Sequence, residues 1–258
     1  MARIPIGLEL YSVRNELAAD AAGTIRAVAE MGYEGVEFAG PPQHSGAELR
    51  KMLDDNGLVC CGWHTPFDRV QDDTLAATIE LNQTVGNRFI IIPGIPGHLI
   101  QSRDDWLKMA DFFNALADKL APHGMKTGYH NHHIEFTELD GELPWDTFFG
   151  NTKAEVVMQL DTGNAASGGG NCVAILEGYP GRATTVHLKP YHAERGAEDR
   201  HAGFQPIIGD DTLPWADIFR LCESIGGTEW YIVEYESDAY PPLESVKRCL
   251  DALKAMGK

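Results

Sequence analysis

Short runs of β-branched and other apolar residues alternate along this chain with longer stretches whose apolar positions recur every three or four residues. The short runs, bounded by turn formers, have the signature of strands, and the three-four spacing is one face of a helix. On that basis strands are predicted at 4–12, 35–39, 59–65, 89–94, 126–132, 156–163, 184–190 and 230–236. Helices are predicted at 21–31, 46–56, 73–85, 104–122, 143–149, 172–179, 213–225 and 243–256. Within 104–122 the apolar seam is Trp106, Met109, Phe113 and Leu116. Gly32, Gly57, Gly86, Gly124 and Gly226 stand where helix C-termini are expected, because glycine adopts the left-handed cap conformation without a Cβ clash.

Eight strand–helix units in 258 residues match the repeat of a (β/α)8 barrel, so the predicted fold is an α/β TIM barrel forming a single domain over 1–258. An open doubly wound sheet would need fewer strands and usually a glycine-rich phosphate turn after the first. Here that turn reads Ser12-Val13-Arg14-Asn15. The run Gly168-Gly169-Gly170 lacks the Lys and Ser/Thr of a phosphate loop and is expected to be a flexible connection.

Charge narrows the partners. Asp and Glu number 38 against 21 Lys and Arg, a net charge of −17, which opposes a polyphosphate backbone and argues against a nucleic-acid partner. The five cysteines are odd in number and lack CxxC spacing, which predicts reduced thiols rather than a disulfide framework or thiolate zinc site. No apolar run approaches the roughly 20 residues needed to span a bilayer. Residues 1–12 read as an early strand rather than a secretory signal, so the expected setting is soluble and cytoplasmic, with no membrane partner. A homo-oligomer is compatible with the sequence.

In a barrel of this kind the chemistry gathers at the carboxyl ends of the strands. The polar residues falling there are Glu9 and Tyr11, Glu37, His64, His130 and His132, Asp161, His187 and Lys189, and Glu234 and Glu236. The spacing of two within 9/11, 130/132, 187/189 and 234/236 allows both members of each pair to face the barrel mouth. An ionisable group in a doubly buried strand must be paired, must bind a ligand, or costs several kcal/mol. Taken singly, a strand-end acid is more often a helix cap and a lone His a hydrogen-bonded core residue. His130, Asp161, His187 and Glu234 come from four different strands, and two imidazoles with two carboxylates make a mixed N/O site for one divalent ion. Mn²⁺ is the first choice, with Co²⁺, Zn²⁺ and Mg²⁺ as alternatives.

The segments Gly7-Leu8-Glu9-Leu10-Tyr11-Ser12, Gly32-Tyr33-Glu34-Gly35-Val36-Glu37, Tyr129-His130-Asn131-His132-His133-Ile134-Glu135-Phe136, Asp161-Thr162-Gly163-Asn164 and Val186-His187-Leu188-Lys189 resemble the sugar phosphate isomerase/epimerase family. This belongs to the xylose isomerase-like TIM barrel superfamily, which also holds endonuclease IV and inosose dehydratase. Gly209-Asp210-Asp211-Thr212-Leu213-Pro214-Trp215 and Ile232-Val233-Glu234 continue it, so the resemblance runs from strand one to strand eight. It implies metal ligands at Asp161, His187 and Glu234, with His130 where relatives carry a strand-five Glu, and with His132 and Glu135 as competitors for that fourth place.

Four readings of function follow. The leading expectation is an isomerase or epimerase acting on a sugar, keto-sugar or cyclitol. In it the ion polarises a carbonyl and stabilises an enediolate while a base removes the α-proton. Catalytic candidates are Glu234, His64 and His130. Glu9, Glu37, Trp63, His132, Lys189 and Glu236 are expected to hold hydroxyls or stack on the sugar. The alternative is a dehydratase or lyase of the inosose dehydratase type, to which a His in place of the strand-five Glu is suited. A nuclease of the endonuclease IV type is remote, since Asn164 stands where another His ligand would be needed. A non-catalytic sugar-binding barrel has no use for four metal ligands. A non-phosphorylated carbohydrate is preferred, because no glycine-rich helix N-terminus follows strand seven.

Overall fold

The computed structural model describes residues 3–258, and these form a single-domain TIM barrel. Strands β1 (Ile6–Glu9), β2 (Gly35–Ala39), β3 (Val59–His64), β4 (Phe89–Ile92), β5 (Lys126–His130), β6 (Val157–Asp161), β7 (Thr185–Leu188) and β8 (Trp230–Val233) pair in sequence order. Every pairing is parallel, and β8 returns to β1 to close the sheet. Helices cover its outside. No helix among the described residues is long and apolar enough to cross a membrane, and the five cysteines are buried free thiols.

The helices arise where periodicity and capping agree. In the helix Arg103–Leu120, Trp106, Ala110, Phe113, Leu116 and Leu120 are buried, and the Ser102 hydroxyl accepts from the Asp105 amide at the N-terminus. Met109, expected in this seam, lies at its edge and is partly buried. The inner face meets β5 through an aromatic cluster in which the rings of Phe113, Tyr129 and Phe148 lie 4.9–5.9 Å apart. Gly32, Gly57, Gly86 and Gly124 take the predicted left-handed conformation, but the fifth cap is Gly227 rather than Gly226. The helix Trp215–Leu221 runs on into a π-helical turn at Cys222–Gly226, where the wider turn shifts the stop by one residue.

Two layers fill the barrel interior. Phe89, Ile91 and Val157, packed with Trp230, form an apolar floor separate from the main core between sheet and helices. Gly35 leaves room for it, since a Cβ there would stand 3.0 Å from the Trp230 ring. Above the floor the buried side chains become polar, with Glu37, Gln159 and Thr185 fully enclosed.

The strands end earlier than the sequence pattern predicts. Leu10–Val13 is a 3₁₀ turn, so Tyr11 lies beyond β1, and His132, Lys189 and Glu236 likewise follow the last residues of their strands. The Gly168-Gly169-Gly170 segment is not the flexible loop expected. A Cβ at Gly168 would collide with the His133 carbonyl and one at Gly170 would sit 2.7 Å from the Phe136 ring, so the chain is packed there.

Candidate metal centre and active site

The carboxyl ends of the strands open into a cavity of about 890 Å³. Glu9, Tyr11, Arg14, His64, His130, His132, Glu234 and Glu236 line it, together with an outer shelf that includes Pro41, Pro66, Phe67 and Pro96. Glu37 and Lys189, expected to touch substrate, lie behind this surface and hold other site residues. Trp63 is a correction. Its ring is 3% exposed, stacks on Phe38 at 4.8 Å and donates to the Gly40 carbonyl at 2.9 Å, on the opposite strand face from His64. Adjacent residues of a strand face opposite ways, so Trp63 cannot share the mouth with His64.

His130, Asp161, His187 and Glu234 do converge: each offers one donor atom, all within 4.8 Å of one another. Ligands around an ion at about 2.0–2.2 Å stand roughly 3–4 Å apart, so small side-chain rotations complete the set. The donors are buried and sulfur-free, as a hard or borderline divalent ion requires. The residues therefore fit one ion. Glu135, the carboxylate competitor for the fourth place, is turned away. Its Oε1 accepts from the Tyr129 hydroxyl at 2.5 Å and its Oε2 from the His132 amide at 2.8 Å.

Three of these candidate ligands have a support defined by their neighbours. His187 Nδ1 lies 2.6 Å from Glu234 and its Nε2 2.5 Å from Glu37. Were His187 to hold an ion through Nδ1, its Nε2–H bond to Glu37 would be the carboxylate–histidine support that fixes ring orientation and basicity. Gly62 makes space for that carboxylate, because a Cβ at residue 62 would collide with Glu37 Oε1. Asp161 caps the helix Thr162–Ser167, with Oδ1 accepting from the Asn164 amide at 2.7 Å and Oδ2 from its side chain at 3.1 Å. Asn131 fixes the neighbouring backbone, accepting from the Asp161 amide at 2.8 Å and donating to its carbonyl at 3.2 Å. Lys189 donates to Glu234 Oε1 at 2.9 Å and also to Glu236.

Electrostatics follow from this packing. Burial works to raise Glu37 and Glu234, but His64 and His187 hold Glu37 down at about 2. Lys189 and His187 hold Glu234 well below the usual carboxylate range. Burial opposes a proton on His187, yet the charge of Glu37 and the hydrogen bonds to Glu234 and Glu37 raise it to about 10. Asp161 is pushed up to about 8 by burial, with Glu234 adding to the effect and Lys189 and His187 opposing it. Burial also leaves His64 and His130 below the ordinary imidazole range and His132 at about 4. Glu9 is raised by burial and by the charges of Glu37 and Glu234, and neither of its buried oxygens has a hydrogen-bond partner. Nearby stand His64 Nδ1, 3.5 Å from Oε1, and the Glu37 carboxylate. An orphaned acceptor aimed into a cavity is a place for a ligand's hydroxyl.

Sequence reasoning missed three members of this arrangement: Gln159, Thr185 and Arg14. Gln159 precedes Asp161 by two positions on β6 and so shares its inward face, a parity the sequence carries. Arg14 begins the helix Arg14–Ala19, and its guanidinium lies over the Tyr11 ring at 4.3 Å on the cavity rim.

A closed barrel with four convergent N/O donors at its carboxyl end defines the class. Residues 25–256 match the xylose isomerase-like TIM barrel model, and the chain belongs to that family. Among its relatives are inosose dehydratase of Serratia proteamaculans, 27% identical over 245 residues and covering 82% of each chain, and inosose dehydratase of Clostridium beijerinckii, 26% identical over 248 residues. The latter match covers 83% of this chain and 82% of the relative. Of solved structures, a sugar phosphate isomerase/epimerase from Parabacteroides distasonis superposes with a TM-score of 0.81 at 25% identity, over 99% of this chain and 95% of the other.

Proposed function

We propose that this protein is a divalent-metal-dependent lyase that removes water from a keto-cyclitol or keto-sugar, with His130, Asp161, His187 and Glu234 holding the ion and Mn²⁺ the first choice. The observation that carries the reading is the chemical asymmetry of the cavity. A proton-exchanging epimerase works with matched bases on opposite faces of the substrate. Here the β5 position is an imidazole, and Glu135 is tied to Tyr129. The groups that face the cavity with free capacity are unlike one another: His64 beside Glu9 on the β1–β3 side, and His132 on the β5 side. Elimination uses such a pair, one group taking the α-proton and the other protonating the departing hydroxyl.

When bound, the ion supplies Lewis-acid polarisation of the substrate carbonyl. The protein's own groups do the rest. His132, neutral because its burial depresses its pKa to about 4, accepts the α-proton. The C–H electrons form the new C=C bond, and the β C–O bond breaks. Glu9, kept protonated by burial and by the charges of Glu37 and Glu234, delivers the proton with which hydroxyl leaves as water, and His64 Nδ1 stands beside it at 3.5 Å. Glu234, with one oxygen bound by His187 and the other by Lys189, serves as a ligand more readily than as a base. Lys189 is spent on Glu234 and Glu236, which supports a substrate without phosphate. The relatives named inosose dehydratase support the same reaction type. An isomerase or epimerase is the second reading, favoured by the Parabacteroides distasonis structure.

The test is incubation of Mn²⁺-loaded enzyme with a panel of inososes and keto-sugars in D₂O, followed by mass spectrometry and NMR. A product that has lost water supports the lyase. A product of unchanged composition carrying deuterium at the α-carbon establishes the isomerase instead. With neither across the panel, both readings fail. His64→Ala is expected to keep the metal and slow turnover by roughly 10²-fold or more.

A further inference from the structure

Gln159 lies at the centre of the polar layer with no exposed surface. Its Oε1 is 2.6 Å from His64 Nε2 and 3.1 Å from His130 Nδ1, while its Nε2 donates at 3.0 Å to Glu37 Oε1 and at 3.0 Å to Thr185 Oγ1. The four contacts use the full hydrogen-bonding capacity of a side-chain amide, two lone pairs and two N–H groups. They also fix its orientation. Turning the amide over would set its carbonyl oxygen against the buried Glu37 carboxylate, two acceptors with no proton between them. The oxygen therefore faces the two imidazoles, and both must donate to it: His64 through Nε2–H and His130 through Nδ1–H. The second nitrogen of each neutral ring is then left as a lone pair. For His130 that atom is Nε2, which points toward the Asp161 carboxylate at 3.7 Å, inside the convergent donor set. For His64 it is Nδ1, which faces Glu9.

We propose that Gln159 is a positioning residue that sets the tautomers of His64 and His130 together, so that His130 meets the ion with a free Nε2 lone pair and His64 faces Glu9 with a free Nδ1. Glu37 completes the device, since it orients the Gln159 amide with one oxygen and the His187 ring with the other. One neutral amide thereby links the supports of both imidazole ligands.

The metal arm of the test rests on the proposed function, and the tautomer arm does not. In metal-free wild-type protein, ¹⁵N–¹H correlation NMR of the histidine rings is expected to show the proton of His130 on Nδ1 and that of His64 on Nε2. The first is the less common form of a free imidazole, so its observation is informative. Gln159→Met keeps the volume and removes the amide. The His130 proton is expected to redistribute to Nε2, and Mn²⁺ affinity measured by calorimetry to fall about 10- to 100-fold, as for loss of other supports of metal ligands. A purely structural role would lower the melting temperature in chelator and leave the tautomers and affinity of the folded fraction unchanged. That result overturns the proposal, as does a wild-type His130 protonated on Nε2. Should the variant fail to fold, the wild-type spectrum alone decides. Should wild type bind no Mn²⁺, the metal-enzyme reading fails while the tautomers still decide the role of Gln159.

Discussion

Replacing Glu9 by glutamine is expected to make the metal-free protein more stable, although Glu9 faces the cavity. Its carboxylate is 1% exposed, both oxygens lack a donor, and Glu37 and Glu234 repel it. A glutamine of the same shape brings an N–H₂ group that can donate to the Glu37 carboxylate or to His64 Nδ1 at every pH, a pairing the carboxyl offers only while it holds its proton. Leaving a buried polar group unsatisfied costs about 1–3 kcal/mol, more for a charge. In a chain of this size each kcal/mol moves the melting temperature by roughly 2–4 °C. The pH dependence gives the argument its sign. The folded-state pKa of Glu9 is raised, so below its ordinary value near 4.5 the carboxyl is protonated in both states and carries no charge penalty. As pH rises past that value the unfolded chain ionises first, and wild type loses stability until the folded group ionises too. The Glu9→Gln variant has no ionisable group at this position, so the gap should open above pH 4.5 and widen toward neutrality. Calorimetric melts of both proteins with chelator, from about pH 4.5 to pH 8, provide the assay. A variant that melts below wild type at the upper end of that range, or a gap that shrinks as pH rises, refutes the reasoning.

Two other outcomes follow. Metal binding should release protons and tighten as pH rises from about 6 to 8. The ion must displace the proton of Asp161, held up to about 8, and that of His187, held to about 10. Calorimetry in buffers of different ionisation enthalpy measures the release, and a pH-independent affinity with no proton release would contradict it. Phe113→Ala opens the aromatic cluster behind β5 and is expected to cost about 3–5 kcal/mol in urea unfolding, whereas a loss under about 1 kcal/mol would mean that the cluster collapses freely around the gap.

The barrel was legible because a parallel sheet requires runs apolar on both faces, separated by amphipathic helices. Its strand ends were harder to place. His132, Lys189 and Glu236 continue the period-two polar spacing past the final ladder bonds, so the pattern alone gives no stopping point. The helices Arg14–Ala19 and Ala193–Glu198 bury no residue and so show no apolar period, and Thr162–Ser167 begins inside the predicted strand 156–163. For the candidate metal site, Asp161 and His187 follow from the position of charged residues on buried strands, and Glu234 from its place one residue beyond β8. Trp63 was misplaced because its chemistry was weighed without its parity: once His64 faces inward, residue 63 faces the helices. Gln159 escaped notice for the opposite reason, having the right parity and no charge to draw attention.

The apolar floor of Phe89, Ile91, Val157 and Trp230 turns the barrel into a vessel with one door. A substrate and its product reach and leave the polar layer through the rim formed by the β–α loops, and they must do so in turn. Traffic at that rim then couples the chemistry to the loops, so a change at Tyr11, Phe67 or Pro96 can alter the pace of turnover while leaving every ligand in place.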